Sequence, residues 1–233
     1  MEIILRDLVK AYGNREVINI NDFVFKENKT YGIIGSNGAG KTTLIRMILG
    51  LDRDYKGSID YRAGTSYITL EEVRKKAGYV SQNPYLFDQS IRENVKMGIK
   101  FQGENNKNEI DEILSEFKLT DISERNALNI SMGEAQRTAV ARVMLAKSEI
   151  LLFDEPTANI DSQNTKVIEE AIINYKKKNT VTIIIVTHNI FQAKRLCDYI
   201  IYMENGRILE VIDRKEFHCN KKLQEIIEYS MIL

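Results

Sequence analysis

The eight residues Gly35-Ser36-Asn37-Gly38-Ala39-Gly40-Lys41-Thr42 constrain this chain more than any other stretch, because they fit the pattern G-x-x-x-x-G-K-[ST]. A loop of small residues lets successive backbone N–H groups turn inward around phosphate oxygens. A helix starting near Lys41 adds the partial positive charge of its N-terminal end. Lys41 supplies a mobile point charge for β- and γ-phosphates, and the Thr42 hydroxyl is a hard oxygen ligand suited to Mg2+. The flanks agree: residues 30–34 read as a short buried strand, and residues 42–49 have helical character with Gly50 as the stop. Strand, glycine-rich turn and helix in that order predict a site for the phosphates of a nucleotide.

A second element of that chemistry lies at Ile150-Leu151-Leu152-Phe153-Asp154-Glu155. An apolar strand ending in carboxylates is what a metal–phosphate site needs opposite its loop. Asp154 suits a hydrated metal, and Glu155, one step past the strand, suits a base that polarises water. Taken alone, the same residues also describe a strand followed by an acidic turn. The chain has no N-K-x-D motif for reading guanine, which favours adenine as the base.

Elsewhere the apolar runs have strand length. Residues 3–9 and 18–25 read as an opening antiparallel pair. Residues 150–153 and 181–186 are continuous apolar runs, as expected of strands covered on both faces of a parallel sheet. Residues 199–203 and 207–212 flank Asn205-Gly206, whose tolerance of positive φ predicts a type I′ hairpin. In the middle of the chain, residues 90–128 are polar and helix-like, with a break at 102–108, and residues 214–233 suggest a short closing helix. The expected organisation is an α/β core of 1–83 and 147–233 interrupted by a helical lobe over 84–146.

The 233 residues suit one large domain or one domain with a sub-lobe. Lys and Arg number 33 and Asp and Glu 33, and this balance argues against a broad basic face for nucleic acid. No apolar run approaches the roughly 20 residues that span a bilayer. No charged segment followed by an apolar one opens the chain, and its two cysteines, Cys197 and Cys219, fit no metal-ligand spacing. A reduced, cytoplasmic setting is therefore expected.

Several short motifs follow the phosphate loop in order: Gln82, Ile130-Ser131-Met132-Gly133-Glu134, Asp154-Glu155, Ala158-Asn159-Ile160-Asp161 and His188. Their order and separation, over nearly the whole chain, resemble the nucleotide-binding subunit of an ABC transporter. The resemblance implies a P-loop NTPase of the RecA-like kind, with an N-terminal antiparallel β subdomain and an inserted α-helical lobe. It also implies ATP hydrolysis coupled to transport, with ATP and Mg2+ as cofactors. The nucleotide would be held by Gly35, Ser36, Asn37, Gly38, Ala39, Gly40, Lys41, Thr42 and Thr43, with Tyr12 stacked on adenine. The metal would be held by Thr42, Gln82 and Asp154. Glu155, His188 and Lys41 would carry the chemistry.

In that family two copies sandwich two ATP molecules head to tail. Ser131, Gly133, Glu134 and Asp161 would then act in trans, on the opposite copy's nucleotide. Implied partners are a nucleotide-dependent homodimer, separate transmembrane permease subunits docking near residues 83–93, and an extracytoplasmic substrate-binding protein. No nucleic acid partner is expected. The implied location is the cytoplasmic face of the cell membrane, as a peripheral subunit.

The signature segment departs from the family's L-S-G-G-Q at Met132 and Glu134. A carboxylate at Glu134 faces an anion unfavourably unless it turns back to cap its own helix. Ser131-x-x-Glu134 is itself a capping box, so an ordinary helix start has the same residues. Residues 131–137 and 187–196 look most like importer ATPases for oxyanions, the tungstate type first and phosphate second. Residues 84–94 look more like exporter subunits, and a non-transport ATPase sharing the same head is a further alternative.

Overall fold

The computed structural model describes residues 1–99, 107–221 and 223–225. Strands β1 (Glu2–Tyr12), β2 (Arg15–Phe25) and β3 (Thr30–Ile34) lead into helix α1 (Lys41–Ile48). Then come β4 (Lys56–Ala63), β5 (Ser66–Ile68), α2 (Leu70–Lys76) and β6 (Ala77–Val80), followed by helices α3 (Ile91–Lys96), α4 (Lys107–Glu116) and α5 (Met132–Leu145). The chain continues through β7 (Ile150–Asp154), α6 (Ser162–Lys178), β8 (Thr182–Val186), α7 (Ile190–Leu196), β9 (Tyr199–Glu204) and β10 (Arg207–Asp213). The chain packs as two compact units, one of Met1–Ala77 with Val181–Leu233 and one of Gly78–Thr180. By packing, β7 and α6 thus group with the helices of the middle of the chain.

The first unit contains an antiparallel sheet of order β2-β1-β4-β5. Its opening pair is the expected one, with Ile3 opposite Phe25 and Leu8 opposite Ile20. Ile3, Leu5, Leu8, Ile18 and Phe25 are all buried, so one face of this hairpin supplies core. Sequence pattern did not announce β4, where only Tyr61 of the eight residues is fully buried and no clean alternation exists. The Tyr61 hydroxyl donates to the Ile48 carbonyl at the end of α1, fastening that strand to the helix.

The same unit holds strands in the order β10-β9-β3-β8, with β3 parallel to both β8 and β9. Every residue of β3 and β8 is buried, as continuous apolar runs demand. The β9–β10 connection has φ of 47° at Asn205 and 78° at Gly206, the pair of positive values that a type I′ turn requires. At the far end, Arg214–Glu216 forms a single 3-10 turn and residues 223–225 are helical. Residues 222 and 226–233 of the expected closing helix lie outside the described residues.

In the second unit β6 lies beside β7, and all five residues of β7 are buried. Helix α5 packs against α3, α4 and α6, burying Val95, Leu114, Phe117, Val140, Met144 and Ile168. Arg137 of α5 donates to the Phe117 carbonyl at 2.6 Å and the Lys118 carbonyl at 2.8 Å, satisfying groups just past α4 that its own turn leaves open. Of the expected break at 102–108, residues 107 and 108 belong to α4 and the others lie outside the described residues.

Candidate active site

The glycine-rich loop runs from the buried end of β3 into α1. Gly35 has φ of 151°, and a Cβ there would stand 2.0 Å from the Met203 carbonyl oxygen. Only glycine allows this approach. Lys41 opens α1 and is only 6% exposed, and its Nζ donates to the Gly35 carbonyl at 2.8 Å and the Ser36 carbonyl at 2.9 Å. Ser36, Asn37, Gly38 and Thr42 are exposed, Thr43 is half-buried and Ala39 is buried. No side-chain hydrogen bond caps α1 at Gly40. A glycine-rich loop, a helix start without a side-chain cap and a buried ammonium are the components of a phosphate site.

The β9–β10 turn braces this loop. Gly206 donates its N–H to the Ala39 carbonyl at 3.0 Å and accepts from Asn19 N–H at 2.8 Å. A Cβ on Gly206 would sit 2.6 Å from the Val17 carbonyl oxygen. A second neighbour comes from β2, where Arg15 Nη2 reaches within 3.5 Å of the place a Cβ on Gly38 would occupy. One strand register away, Tyr12 is opposite Arg15 and 51% exposed. Its hydroxyl donates to Asp52 Oδ2 at 2.6 Å, and Lys10 Nζ bonds Asp52 Oδ1 at 2.9 Å while lying 4.7 Å from the Tyr12 ring centroid. The Tyr12 hydroxyl and, after it, Lys10 hold the Asp52 carboxyl below its ordinary range, so the ring is clamped at its edge.

His188 follows β8 and is exposed. Thr187 Oγ1 accepts from Asn189 N–H at 3.0 Å, and Asn189 caps α7 by accepting from Gln192 N–H at 3.0 Å. The residues on both sides of His188 are thereby fixed.

In the second unit, Asp154 ends β7 and is buried. Glu155 begins the next turn with φ of 52°, a left-handed conformation costing a non-glycine residue roughly 1–2 kcal/mol. Its carbonyl accepts from Ala158 N–H at 3.1 Å. Gln82 Nε2 donates to Glu155 Oε2 at 3.3 Å, so two residues 73 positions apart meet at one carboxylate.

Ser131 caps α5 with a complete capping box. Glu134 Oε2 accepts from the Ser131 N–H at 2.7 Å and from its hydroxyl at 2.8 Å. The carboxylate does turn back onto its own helix, and the Ser131 N–H is the main reason its pKa lies below the ordinary range. The Asp161 side chain caps α6, accepting from Asn164 N–H at 2.8 Å. The Asn164 side chain also bonds Asp161, and its Nδ2 lies 2.5 Å from where a Cβ on Gly133 would stand. Asn164 therefore touches both Gly133 and Asp161.

Among the described residues no group of three His, Cys, Asp or Glu side chains stands where it could hold a metal by itself. The candidate ligands are instead a hydroxyl, an amide and one carboxylate, hard oxygens of the kind Mg2+ takes when most of its shell is phosphate and water. No helix among the described residues is long and apolar enough to cross a membrane.

A family model described as ABC transporter matches residues 18–158. This chain belongs to the ABC transporter family. A relative, the tungstate uptake system ATP-binding protein TupC of Peptoclostridium acidaminophilum, is 40% identical over 214 residues, covering 90% of this chain and 98% of its own. The phosphate import ATP-binding protein PstB 2 of Enterococcus faecalis is 34% identical over 239 residues, covering 96% and 88%. Among solved structures, an ATP-binding subunit of an ABC transporter matches with a TM-score of 0.81 at 24% identity, covering 98% of this chain and 99% of that one. A bacterial ABC exporter with ATP bound matches with a TM-score of 0.85 at 23% identity, covering 98% of this chain and 41% of that one. These two likenesses bear on the fold, which is that of ABC ATPase domains.

The protein is accordingly an ATP-binding subunit and an ATPase of an ABC transporter. Gly206, Arg15 and Asn164 escape a sequence reading of such a subunit. Asn164 has a local signal in Asp161-x-x-Asn164, the spacing of a helix cap and its N3 residue, and Gly206 has one in the Asn205-Gly206 turn, but neither signal names the contact that the residue makes at the site.

Proposed function

We propose that this ATPase powers the import of a small oxyanion, tungstate before phosphate, through separate transmembrane permease subunits. The observation that carries the cargo is the 40% identity to a tungstate uptake ATP-binding protein across 90% of the chain. In this reading the subunit sits peripherally on the inner face of the cell membrane, and the permease receives cargo from an extracytoplasmic binding protein. A nucleotide-binding core of 1–83 and 147–233 works with a helical lobe of 84–146. The exporter-like character of residues 84–94 supports a second reading, an ATPase subunit of an exporter.

ATP closes a dimer in which the phosphate loop of one copy and the Ser131 segment of the other share one triphosphate. Tyr12 stacks on adenine, and Gly35 to Thr43 surround the phosphates. Mg2+, held through Thr42, Gln82 and Asp154, would neutralise the phosphate oxygens. Lys41 balances charge on the γ-phosphate. Glu155 takes a proton from the attacking water while Gln82 and His188 keep the carboxylate and water in line. Asp161 and Gly133 border the opposite copy's site. Once the terminal phosphate leaves, the bridge between copies is lost and the dimer opens.

The test is Glu155→Gln. Loss of a general base typically costs about 10²–10⁴-fold in rate, so this variant binds ATP, hydrolyses it very slowly and accumulates as dimer on gel filtration. Lys41→Ala loses affinity for a fluorescent ATP analogue instead. Turnover of Glu155→Gln at the wild-type rate overturns the assignment. Cargo is tested separately, by whether tungstate, phosphate or neither stimulates the ATPase of the assembled transporter with its binding protein.

A further inference from the structure

Helix α5 is apolar where it packs, with Ala139, Val140, Ala141 and Met144 buried, yet it also buries Gln136 completely, at 0% exposure. Gln136 Nε2 donates to the Gln82 backbone carbonyl at 2.9 Å, while its Oε1 is buried with no hydrogen-bond partner among the described residues. Such an unsatisfied buried acceptor is destabilising, and methionine or leucine of similar size avoids it. Helix packing alone therefore does not explain a glutamine here. Its single bond ends on the residue whose side chain meets Glu155 at 3.3 Å. The neighbouring Ser81 hydroxyl donates to the Asn83 carbonyl at 2.8 Å, so the backbone around Gln82 is held from two sides.

We infer that Gln136 is a positioning residue for ATP hydrolysis: it fixes the backbone at Gln82 so that the Gln82 amide stays aligned with the Glu155 carboxylate. The inference rests on the proposed role of Glu155 as base. Gln136 lies five residues beyond Ser131 on the same helix, about 7.5 Å along its axis, so the helix start that caps on Ser131 also carries the donor that holds Gln82.

The experiment compares full-length wild type, Gln136→Met, Gln82→Ala and the double variant by steady-state ATPase kinetics and thermal melting. Gln136→Met removes the donor and the orphan acceptor together, so its melting temperature is expected to equal or exceed that of wild type. Its kcat is expected to fall about ten-fold, near what a lost hydrogen bond of this kind supplies, with KM for ATP within about two-fold of wild type. In the Gln82→Ala background the same substitution is expected to change kcat by less than about two-fold, because its effect passes through the Gln82 amide. An unchanged kcat in Gln136→Met, or a full further loss in the double variant, overturns the inference. If Gln136→Met does not fold, Gln136→Leu is subject to the same criteria. Hydrolysis by wild type and its near-absence in Glu155→Gln are scored first, so a failure of the catalytic reading is distinguished from a failure of this one.

Discussion

The hydroxyl of Ser131 donates to the carboxylate of Glu134 at 2.8 Å, and the Ser131 N–H reaches the same oxygen at 2.7 Å. A hydroxyl has one proton to give, so in the proposed closed dimer Glu134 would compete for the proton that an opposing γ-phosphate would take. In Glu134→Gln the amide oxygen still accepts from the Ser131 N–H and keeps the capping box, but the charge is gone and the hydroxyl bond is roughly halved in strength. The expected outcome is dimer formation at about ten-fold lower ATP, the effect of removing some 1.4 kcal/mol of repulsion. Analytical ultracentrifugation of Glu155→Gln with and without the second substitution measures it. An equal or higher ATP requirement rejects the competition.

The caps of α5 and α6 also set an acid limit. The carboxyls of Glu134 and Asp161 are both held below their ordinary values by backbone N–H donors, from Ser131 and Asn164 respectively. A depressed carboxyl pKa gives stability that is complete above the unfolded values, about 4.3 for Glu and 3.9 for Asp, and that disappears as pH falls through the folded values. Thermal midpoints are therefore expected to be insensitive to these two groups from about pH 7 to 5 and to fall below about pH 4. The combined variant Glu134→Gln/Asp161→Asn should lose less on that descent. Parallel curves for variant and wild type refute this.

What could be read from sequence, and what could not, follows from the range of each signal. The phosphate loop, the carboxylates at the end of β7, the capping box at Ser131 and the Asn205-Gly206 turn each depend on residues within a few positions, so spacing alone reveals them. Strand β4 carries no such signal, because Lys56–Ala63 mixes charged, small and apolar residues without period. The contacts of Gly206 with Ala39, Arg15 with the loop at Gly38, and Gln136 with Gln82 join distant positions. Nothing in the local pattern of either partner names the other. Glu134 shows both sides: its departure from the family signature was visible, and its bond back to Ser131 needed the fold.

Gly206 touches the phosphate loop without belonging to it. Gly206→Ala must place a Cβ 2.6 Å from the Val17 carbonyl at φ of 78°, and the left-handed conformation alone costs roughly 1–2 kcal/mol. The turn is expected to shift and release the Ala39 carbonyl. The affinity for a fluorescent ATP analogue should then fall about ten-fold in a protein that still melts cooperatively, a loss near 1.4 kcal/mol. Unchanged affinity would show that the brace is dispensable.

Tyr12 and Arg15 face each other across the β1–β2 register, one offering a ring clamped by Asp52 and the other a guanidinium beside Gly38. With the ring proposed to meet the base and the guanidinium the phosphates, removing each tests the two roles separately. Tyr12→Ala loses a stacking surface worth roughly 1–3 kcal/mol, so the ATP analogue should bind about ten-fold more weakly at any salt concentration. Tyr12→Phe keeps the ring but frees it from Asp52, and a smaller loss of about three-fold is expected from one neutral-to-charged hydrogen bond. Arg15→Ala should weaken binding at low salt and much less at high salt, since an exposed cation near an anion is screened within about 10 Å at 0.1 M. Titrations at two ionic strengths distinguish them: a salt-dependent defect in Tyr12→Ala, or a salt-independent one in Arg15→Ala, reverses the assignment of ring to base and guanidinium to phosphate.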